Sequence, residues 1–276
     1  MPDPDDATAS RIRTLVEDFE QVLFEFIRKR QINHSEYRVA TDLIVDSIKT
    51  GEETLLFDVF FEAEATDVGN IGREGSPEAI EGPFYLPGAP MLTGPLHVMP
   101  QREDEKGEPL LFHGTVLGVD GEPLAGVEVD LWHADADGLY SNIHPNTPDF
   151  NLRGRFTTED DGTFRVLSIL PPPYEIPKDG PTGKVLRALG RHFFRPAHLH
   201  VKLRHPDHEE MTSQLYFKGG EYLDDDVAKG VRDGLVIALH TVEDPARIAE
   251  NGLDRPYIDA RYDFVLVPAS AARKPT

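Results

Sequence analysis

Apolar residues in the first part of the chain recur at steps of three and four, the spacing of one face of an amphipathic α-helix. In the first predicted helix these positions are Ile12, Leu15, Val16, Phe19, Val22, Leu23, Phe26 and Ile27. A second helix is predicted to begin after Asn33, because Asn33 followed by Glu36 resembles a capping box. Its apolar face consists of Tyr37, Val39, Leu43, Ile44 and Ile48. A third helical segment, roughly 52–65, carries Leu55, Leu56, Val59 and Phe60.

These segments predict a small helical layer whose first helix is rich in large apolar residues. Its face suits either packing on a core or contact with a partner subunit, and the sequence leaves both open. From Val68 to about Leu111 the helical pattern is lost and glycine and proline are dense, as in EGPFYLPGAP over 81–90. This region is predicted to be either an ordered loop at the mouth of a site or a linker that crosses the surface.

The rest of the chain has the pattern of short strands. The pairs Asp120-Gly121 and Asp161-Gly162 predict tight hairpin turns between strand-like runs. Further strands are predicted at 197–203, 212–217, 235–239 and 262–267. The predicted fold is mainly β with α, a β-sandwich preceded by a helical region. We place the helical region and its loop at residues 1–100 and the sandwich at 101–276.

Composition narrows the choice of function. The chain has 28 lysines and arginines against 49 aspartates and glutamates, a formal net charge of -21 that repels nucleic acid phosphates. It has no cysteine, which excludes disulfides, thiolate nucleophiles and iron–sulfur clusters. No signal-peptide pattern is present, and no run approaches the roughly 18 apolar residues of a membrane span. We therefore expect a cytoplasmic protein without membrane insertion and without a nucleic acid partner.

The most informative motif is Arg195-Pro196-Ala197-His198-Leu199-His200. Alternate side chains of a β-strand point to the same face, so the two imidazoles would project together. Imidazole is a favoured ligand for zinc, copper, iron and nickel, and the pair is therefore a candidate metal site.

Two tyrosines complete a candidate metal-binding set. Tyr140 ends the run WHADADGLYS, and Tyr174 follows three consecutive prolines. A free phenol has a pKa near 10, and a trivalent cation favours the ionised form. Phenolate oxygen suits ferric iron better than ferrous iron, so two tyrosines and two histidines predict Fe(III) with an open position. Each tyrosine alone also fits a plainer interpretation, half-buried packing for one and a rigid turn for the other.

Two alternatives stay open at this point. His205, Asp207 and His208 could supply a two-histidine, one-carboxylate site for ferrous iron, as in extradiol ring cleavage. The run GTVLGVDGEPLAGVEVDL, residues 114–131, also resembles transthyretin-like β-sandwich modules, which bind or brace and catalyse nothing.

Six segments, taken together and in order, resemble the intradiol ring-cleaving dioxygenases, specifically the catechol 1,2-dioxygenase branch with its chlorocatechol relatives. They are IEGPFYLPGAP, GEPLAGVEVDLWHADADGLYS, NLRG, PPPYEIPKDGP, RPAHLHVKL and TSQLYF. The resemblance runs from about Arg38 to Leu235. It implies a β-sandwich catalytic domain and an N-terminal helical linker domain that forms a homodimer and holds a phospholipid at the dimer interface.

The resemblance also implies roles for individual residues. The iron ligands, with one Fe(3+) per subunit, would be Tyr140, Tyr174, His198 and His200. Arg195 matches the active-site arginine, and Gln214 matches a glutamine beside the ligands. The wall of the substrate pocket would contain Leu55, Asp58, Ile80, Gly82, Pro83 and Phe84, of which Leu55 and Asp58 match less closely.

The implied reaction inserts O2 between the two hydroxyl-bearing carbons of catechol and gives cis,cis-muconate. In it, Tyr174 leaves the metal when substrate binds and can accept a proton. Arg195, which stays protonated at working pH, would hold the developing negative charge. Phe84 departs from the residue frequent in catechol enzymes, so chlorocatechol or methylcatechol is the alternative substrate, with hydroxyquinol less favoured.

Overall fold

The computed structural model describes residues 6–269, which divide into two compact units after Gly51. The first unit contains α1 (Asp6–Arg30) and α2 (His34–Thr50). The predicted capping box is present, because Asn33 Oδ1 accepts from the Glu36 amide at 3.1 Å and the Glu36 carboxylate accepts from the Asn33 amide at 2.9 Å. Large apolar side chains of α1 are exposed, for example Phe19 at 65% and Val22 at 62%.

The third predicted helical segment lies in the second unit and consists of three successive pieces. They are α3 (Glu53–Phe57), a π-helical segment (Asp58–Glu62) and α4 (Ala63–Asn70). One-turn π-helical insertions occur often at functional sites. Asp58 and Val59 of this segment line the pocket described below.

Thirteen strands are found in the described part of the second unit, residues 52–269. They are β1 (His97–Val98), β2 (Pro109–Gly118), β3 (Glu128–Trp132), β4 (Arg153–Thr157), β5 (Thr163–Ile169), β6 (Tyr174–Glu175), β7 (Phe194–Arg195), β8 (His198–Arg204), β9 (Met211–Phe217), β10 (Val236–Ile237), β11 (Leu239–Val242), β12 (Tyr257–Arg261) and β13 (Phe264–Leu266). Two short helices, α5 (Pro181–Ala188) and α6 (Pro245–Glu250), lie between them.

The strands form the two layers of the predicted sandwich. One sheet has the order β1-β5-β2-β12-β11, with β13 also on β2, and the other has the order β10-β9-β8-β3-β4. Strands β6 and β7 form a separate pair. Side chains of both sheets, among them Phe112, Phe164, Leu131 and Val201, share one buried apolar core. The prediction of a mainly β protein with an N-terminal helical region is confirmed.

The two Asp-Gly turns are the tight turns that the sequence predicts, and each closes a short antiparallel ladder: Leu117 lies opposite Pro123 at the first turn, and the Glu159 amide donates to the Thr163 carbonyl at the second. Gly121 and Gly162 have the positive φ that such turns need, +84° and +75°. However, β2 and β3 lie in different sheets, and so do β4 and β5. After each turn the chain therefore passes to the other layer. The alternation of polar and apolar residues along two strands does not show whether the strands pair side by side or pack face to face.

The other strand predictions have mixed outcomes. The strands predicted at 197–203 and 212–217 correspond to β8 and β9, whereas 235–239 contains β10 and only the first residue of β11. Strand β12 was not predicted. The domain boundary between residues 100 and 101 stays a prediction. The helical pieces that continue to Asn70 lie in the second unit. Within residues 6–269 no helix is long and apolar enough to cross a membrane.

Candidate active site

The two predicted histidines lie on β8, between β3 and β9. As the alternation of a strand requires, they point to the same side, and His198 Nε2 lies 3.0 Å from His200 Nε2. Both side chains are buried. The other ring nitrogen of His198, Nδ1, lies 2.7 Å from the carbonyl oxygen of Pro196, which fixes that nitrogen as the N–H donor. The lone pair of its Nε2 therefore points into the site.

The two predicted tyrosines reach the same place from two different loops. Tyr140 lies in the connection between β3 and β4, and Tyr174 begins β6. Their ring centroids are 5.3 Å apart. Tyr174 lies 5.7 Å from the His198 ring, and Tyr140 lies 6.1 Å from the His200 ring. The four predicted metal ligands thus converge on one point, although they are far apart in sequence.

Two further side chains hold the His200 ring. Trp132, opposite His200 in the β3–β8 register, stacks on it at 4.7 Å with an interplanar angle of 9°. Gln214, opposite His200 in the β8–β9 register, places its Nε2 3.2 Å from His200 Nδ1 and donates to the carbonyl of Ile80 at 2.7 Å. These contacts fix the plane of the ring from two sides.

Burial determines the protonation of all four side chains. It lowers the pKa of His198 to about 3, and it lowers that of His200 well below its usual value, with nearby positive charges adding to both shifts. Burial also raises the pKa of Tyr140 and Tyr174, against the opposing charge of Arg195. Without a bound metal ion, the four side chains are therefore neutral imidazoles and neutral phenols at pH 7.

The donor set fits a metal ion. The buried hydroxyl of Tyr140 has no hydrogen-bond partner among the described residues. A buried polar atom without a partner is costly, and a cation at the convergence point would satisfy it and reverse the pKa shift of the phenol. Two neutral imidazoles and two ionisable phenols are ligands for a hard trivalent cation.

Arg195 is the centre of a buried hydrogen-bond network beside the ligands. Its Nη1 lies 3.4 Å from His198 Nε2, and its Nη2 donates to Gln214 Oε1 and Tyr216 Oη, both at 2.9 Å. Asp226 accepts from Arg195 Nε at 3.1 Å and from Nη2 at 3.0 Å. Each of these side chains is buried. The network holds a permanent positive charge against the candidate metal position.

Asp226 and Tyr216 were not predicted from the sequence. Tyr216 could have been found, because it lies two residues after Gln214 on β9 and therefore on the same face. Asp226 follows Asp224 and Asp225 in an acidic loop, and nothing in that local pattern separates a buried carboxylate from its exposed neighbours.

A small pocket opens onto the convergence point. All six predicted substrate residues line it, together with Tyr174, Arg195 and His200. These six are Leu55, Asp58, Ile80, Gly82, Pro83 and Phe84. Three lining residues were missed by the sequence, namely Val59, Ile176 and Ala228. Most of the lining is apolar, which suits an aromatic ring.

Glu62 holds the loop that forms one wall of this pocket. Its Oε1 accepts from the backbone amide of Glu81 at 2.7 Å and from that of Gly82 at 3.4 Å. Gly82 has a φ of +71°, and a Cβ at that position would contact His200 at 3.8 Å. That distance is an ordinary van der Waals contact, so glycine is favoured here by its backbone conformation alone.

Asp58 is the pocket residue whose charge changes near neutral pH. Burial raises its pKa from 3.8 to about 6, and the charges of Glu62 and Glu81 add to the shift. The folded state therefore binds this proton more tightly than the unfolded state. The contribution of Asp58 to stability therefore falls as the pH rises from about 4 to about 6.

We expect the KM for an aromatic substrate to rise between pH 5 and pH 7.5, because an apolar ring in this pocket would then desolvate a carboxylate instead of a neutral acid. Asp58→Asn should remove this part of the pH dependence and keep a low KM at pH 7.5. The measurement is KM against pH for both proteins, with Asp104→Asn, whose side chain is 87% exposed, as the control. Identical profiles for Asp58→Asn and the unmodified chain would contradict the assignment.

The extradiol alternative is not supported by the geometry. His205 and His208 face each other at the turn between β8 and β9, with their Nδ1 atoms 3.0 Å apart. Asp207 takes part only through its backbone amide, which donates to His205 Nδ1 at 3.2 Å. Within residues 6–269 no group of three histidine, cysteine or carboxylate side chains could hold a metal ion.

Comparison with known proteins agrees with the geometry. A family model described as Dioxygenase, named Dioxygenase_C, matches residues 80–268. Chlorocatechol 1,2-dioxygenase from Pseudomonas putida is 40% identical over 230 residues, which cover 82% of this chain and 87% of that protein. The chain belongs to this dioxygenase family.

Two further relatives extend the comparison along the chain. Catechol 1,2-dioxygenase from Acinetobacter baylyi is 32% identical over 265 residues, which cover 93% of this chain and 85% of that protein. The crystal structure of 3-chlorocatechol 1,2-dioxygenase from Rhodococcus opacus 1CP superposes with a TM-score of 0.85 at 38% identity, over 95% of this chain and 100% of that one.

Family membership confirms the resemblance drawn from the six sequence segments. The chain is an intradiol-type dioxygenase, so the alternative of a non-enzymatic binding module is wrong. Membership also implies a metal cofactor.

Proposed function

We propose that this dioxygenase cleaves catechol between its hydroxyl-bearing carbons with O2, to cis,cis-muconate, at one Fe(III) per subunit. Tyr140, Tyr174, His198 and His200 would hold the iron. The observation that carries the proposal is the convergence of two buried phenols and two buried imidazoles at the end of a narrow apolar pocket. Such a reaction belongs to the breakdown of aromatic compounds.

Ferric iron held by these four side chains would supply Lewis acidity toward a bound catechol. The protein side chains supply the rest. Tyr174 lines the pocket directly, whereas Tyr140 does not, so the Tyr174 oxygen is the one placed to accept a proton from a substrate hydroxyl. Arg195, also in the pocket wall, holds negative charge that develops on the substrate. Gln214 acts on the site through the ring of His200.

Chlorocatechol is the second candidate substrate, with methylcatechol as a further variant of the same reaction. Chlorocatechol 1,2-dioxygenases from Pseudomonas putida and Rhodococcus opacus are 40% and 37% identical to the chain. Phe84 lies against the ligands, with its ring 5.0 Å from that of Tyr140, and shapes the pocket where a ring substituent would fit. A substrate that differs by one group of about the size of a methylene is discriminated in such a pocket by about 1–3 kcal/mol of transition-state binding energy. Relative kcat/KM for catechol and 4-chlorocatechol would decide between them.

We also propose that the chain is a homodimer through its N-terminal helices, with a phospholipid at that interface. The support is the row of exposed apolar side chains on α1. Exposed apolar surface of this kind is typical of protein or lipid contacts. Light scattering after gel filtration and mass spectrometry of an organic extract would test the two parts separately. The cytoplasmic location stays a prediction.

The test of the iron centre is a visible absorption spectrum of the purified protein, before and after anaerobic addition of catechol. We expect a broad tyrosinate-to-Fe(III) charge-transfer band that moves to longer wavelength when catechol binds. Oxygen should then give a product with the absorbance of cis,cis-muconate. A protein that stays colourless after reconstitution with iron would contradict the proposed ligand set.

A further inference from the structure

Arg153 is a buried cation that the reaction described above does not use. It lies on β4 and is 1% exposed. Its Nε donates to Ser141 Oγ at 2.9 Å, Nη1 donates to the carbonyl of Phe84 at 2.7 Å, and Nη2 donates to the carbonyl of Ser141 at 3.2 Å. All three acceptors are neutral. Among the described residues no carboxylate forms an ion pair with Arg153.

A buried charge without a counter-charge is expensive, so its presence calls for a partner. Asp130, whose charge acts on Arg153 from farther away, already accepts from Tyr85 and lies beside Arg204. The group that lies against the guanidinium is the ring of Tyr140, 5.7 Å from the guanidinium carbon.

Arg195 forms the contrast within the same site. It is also buried and cationic, but the Asp226 carboxylate lies 3.0 Å from its Nη2 and balances its charge. Arg195, in the pocket wall with Tyr174, therefore has a carboxylate partner. Arg153, at the ring of Tyr140, has no such partner among the described residues. The two phenols consequently have unlike electrostatic surroundings.

We propose that Arg153 is a positioning residue that ties the loop carrying Tyr140 to the pocket wall, through its hydrogen bonds to Ser141 and to the Phe84 carbonyl. This inference rests on the proposed iron centre. Arg153 would hold Tyr140 in place through its neighbour Ser141. It also links the ligand to the substrate ring, because the Phe84 carbonyl accepts from the same guanidinium.

The test compares iron-loaded Arg153→Met with Arg155→Met. Arg155 lies two residues along the same strand, but its guanidinium bonds to the Ala89 carbonyl and the Glu128 carboxylate, away from Ser141 and Phe84. Loss of the positive charge raises the energy of the phenolate electrons, so the charge-transfer band of Arg153→Met should move to longer wavelength. Iron affinity should fall about 10–100-fold, as for other groups that support metal ligands. Arg155→Met should keep the band and the affinity of the unmodified chain.

A second variant separates charge from contact. Arg153→Lys keeps the charge but cannot make three hydrogen bonds in the geometry of a planar fork. Its band should stay near the original wavelength while a chelator removes iron several-fold faster. This variant also carries the test if Arg153→Met does not fold.

The outcomes are distinguishable. An unmodified chain without the band overturns the iron centre itself, whatever Arg153 does. An unmodified chain with the band, together with Arg153→Met and Arg153→Lys that match it in band position and iron release, overturns the role of Arg153 alone.

Discussion

Tyr140→Phe is expected to lose iron and activity while the metal-free protein becomes no less stable. The substitution removes only a buried oxygen for which the described residues supply no hydrogen-bond partner. Removal of such an unsatisfied polar group is neutral or stabilises, by about 1–3 kcal/mol. The ring stays and keeps its packing against Phe84 at 5.0 Å. Iron content after loading and the midpoint of urea unfolding of the metal-free form are the two measurements.

Tyr257→Phe is the matched control. Tyr257 is as deeply buried as Tyr140, but its hydroxyl accepts from Asn251 Nδ2 at 3.2 Å, far from the ligands in the fold. This variant should keep full iron content and colour and should lose about 1 kcal/mol of stability with its hydrogen bond. His200→Ala should lose iron as Tyr140→Phe does. Stoichiometric iron with the original band in Tyr140→Phe would show that Tyr140 is not a ligand.

The chain carries its own reporter for this experiment. Trp132 is the one tryptophan in the sequence, and it stacks on the His200 ring. Iron at the convergence point should therefore quench the intrinsic fluorescence. Titration of metal-free protein with iron then gives an affinity for each variant without reference to turnover.

The parts of the site that are local in sequence could be predicted. His198 and His200 share a face because the period of a strand is two, and this follows from the motif alone. The capping box at Asn33 and Glu36 was likewise predicted because its partners are three residues apart. The convergence of Tyr140 and Tyr174 with the histidines came from the family resemblance, since no local pattern brings together residues so far apart in sequence.

Contacts that depend on which sheet a strand joins could not be predicted from the sequence. The Asp-Gly turns were predicted correctly as turns, but whether the following strand joins the same sheet depends on packing across the whole core. The same limit hid Asp226, which meets Arg195 across 31 positions of sequence. The burial of Arg153 could not be predicted for another reason. The residues around it in sequence do not show that its guanidinium lies beside the Tyr140 ring and the Phe84 carbonyl.

Arg195→Met is expected to keep iron and lose catalysis. None of the four proposed ligands is removed, but the charge in the pocket wall is lost. Loss of one group that stabilises developing charge lowers kcat by about 10²–10³-fold. The same substitution leaves the Asp226 carboxylate buried without its ion-pair partner, which costs about 3–5 kcal/mol of stability. Steady-state kinetics, iron content and urea unfolding would be measured together.

The double variant Arg195→Met/Asp226→Asn separates the two losses. A neutral amide at position 226 removes the unpaired charge and can still accept from the backbone amide of Gly230, which donates to Asp226 at 2.8 Å. Stability should therefore return most of the way, because replacing both partners of a buried ion pair costs far less than removing one. The rate should not return, since no positive charge faces the substrate. Recovery of kcat along with stability would show that Arg195 acts only on folding, and would remove it from the reaction.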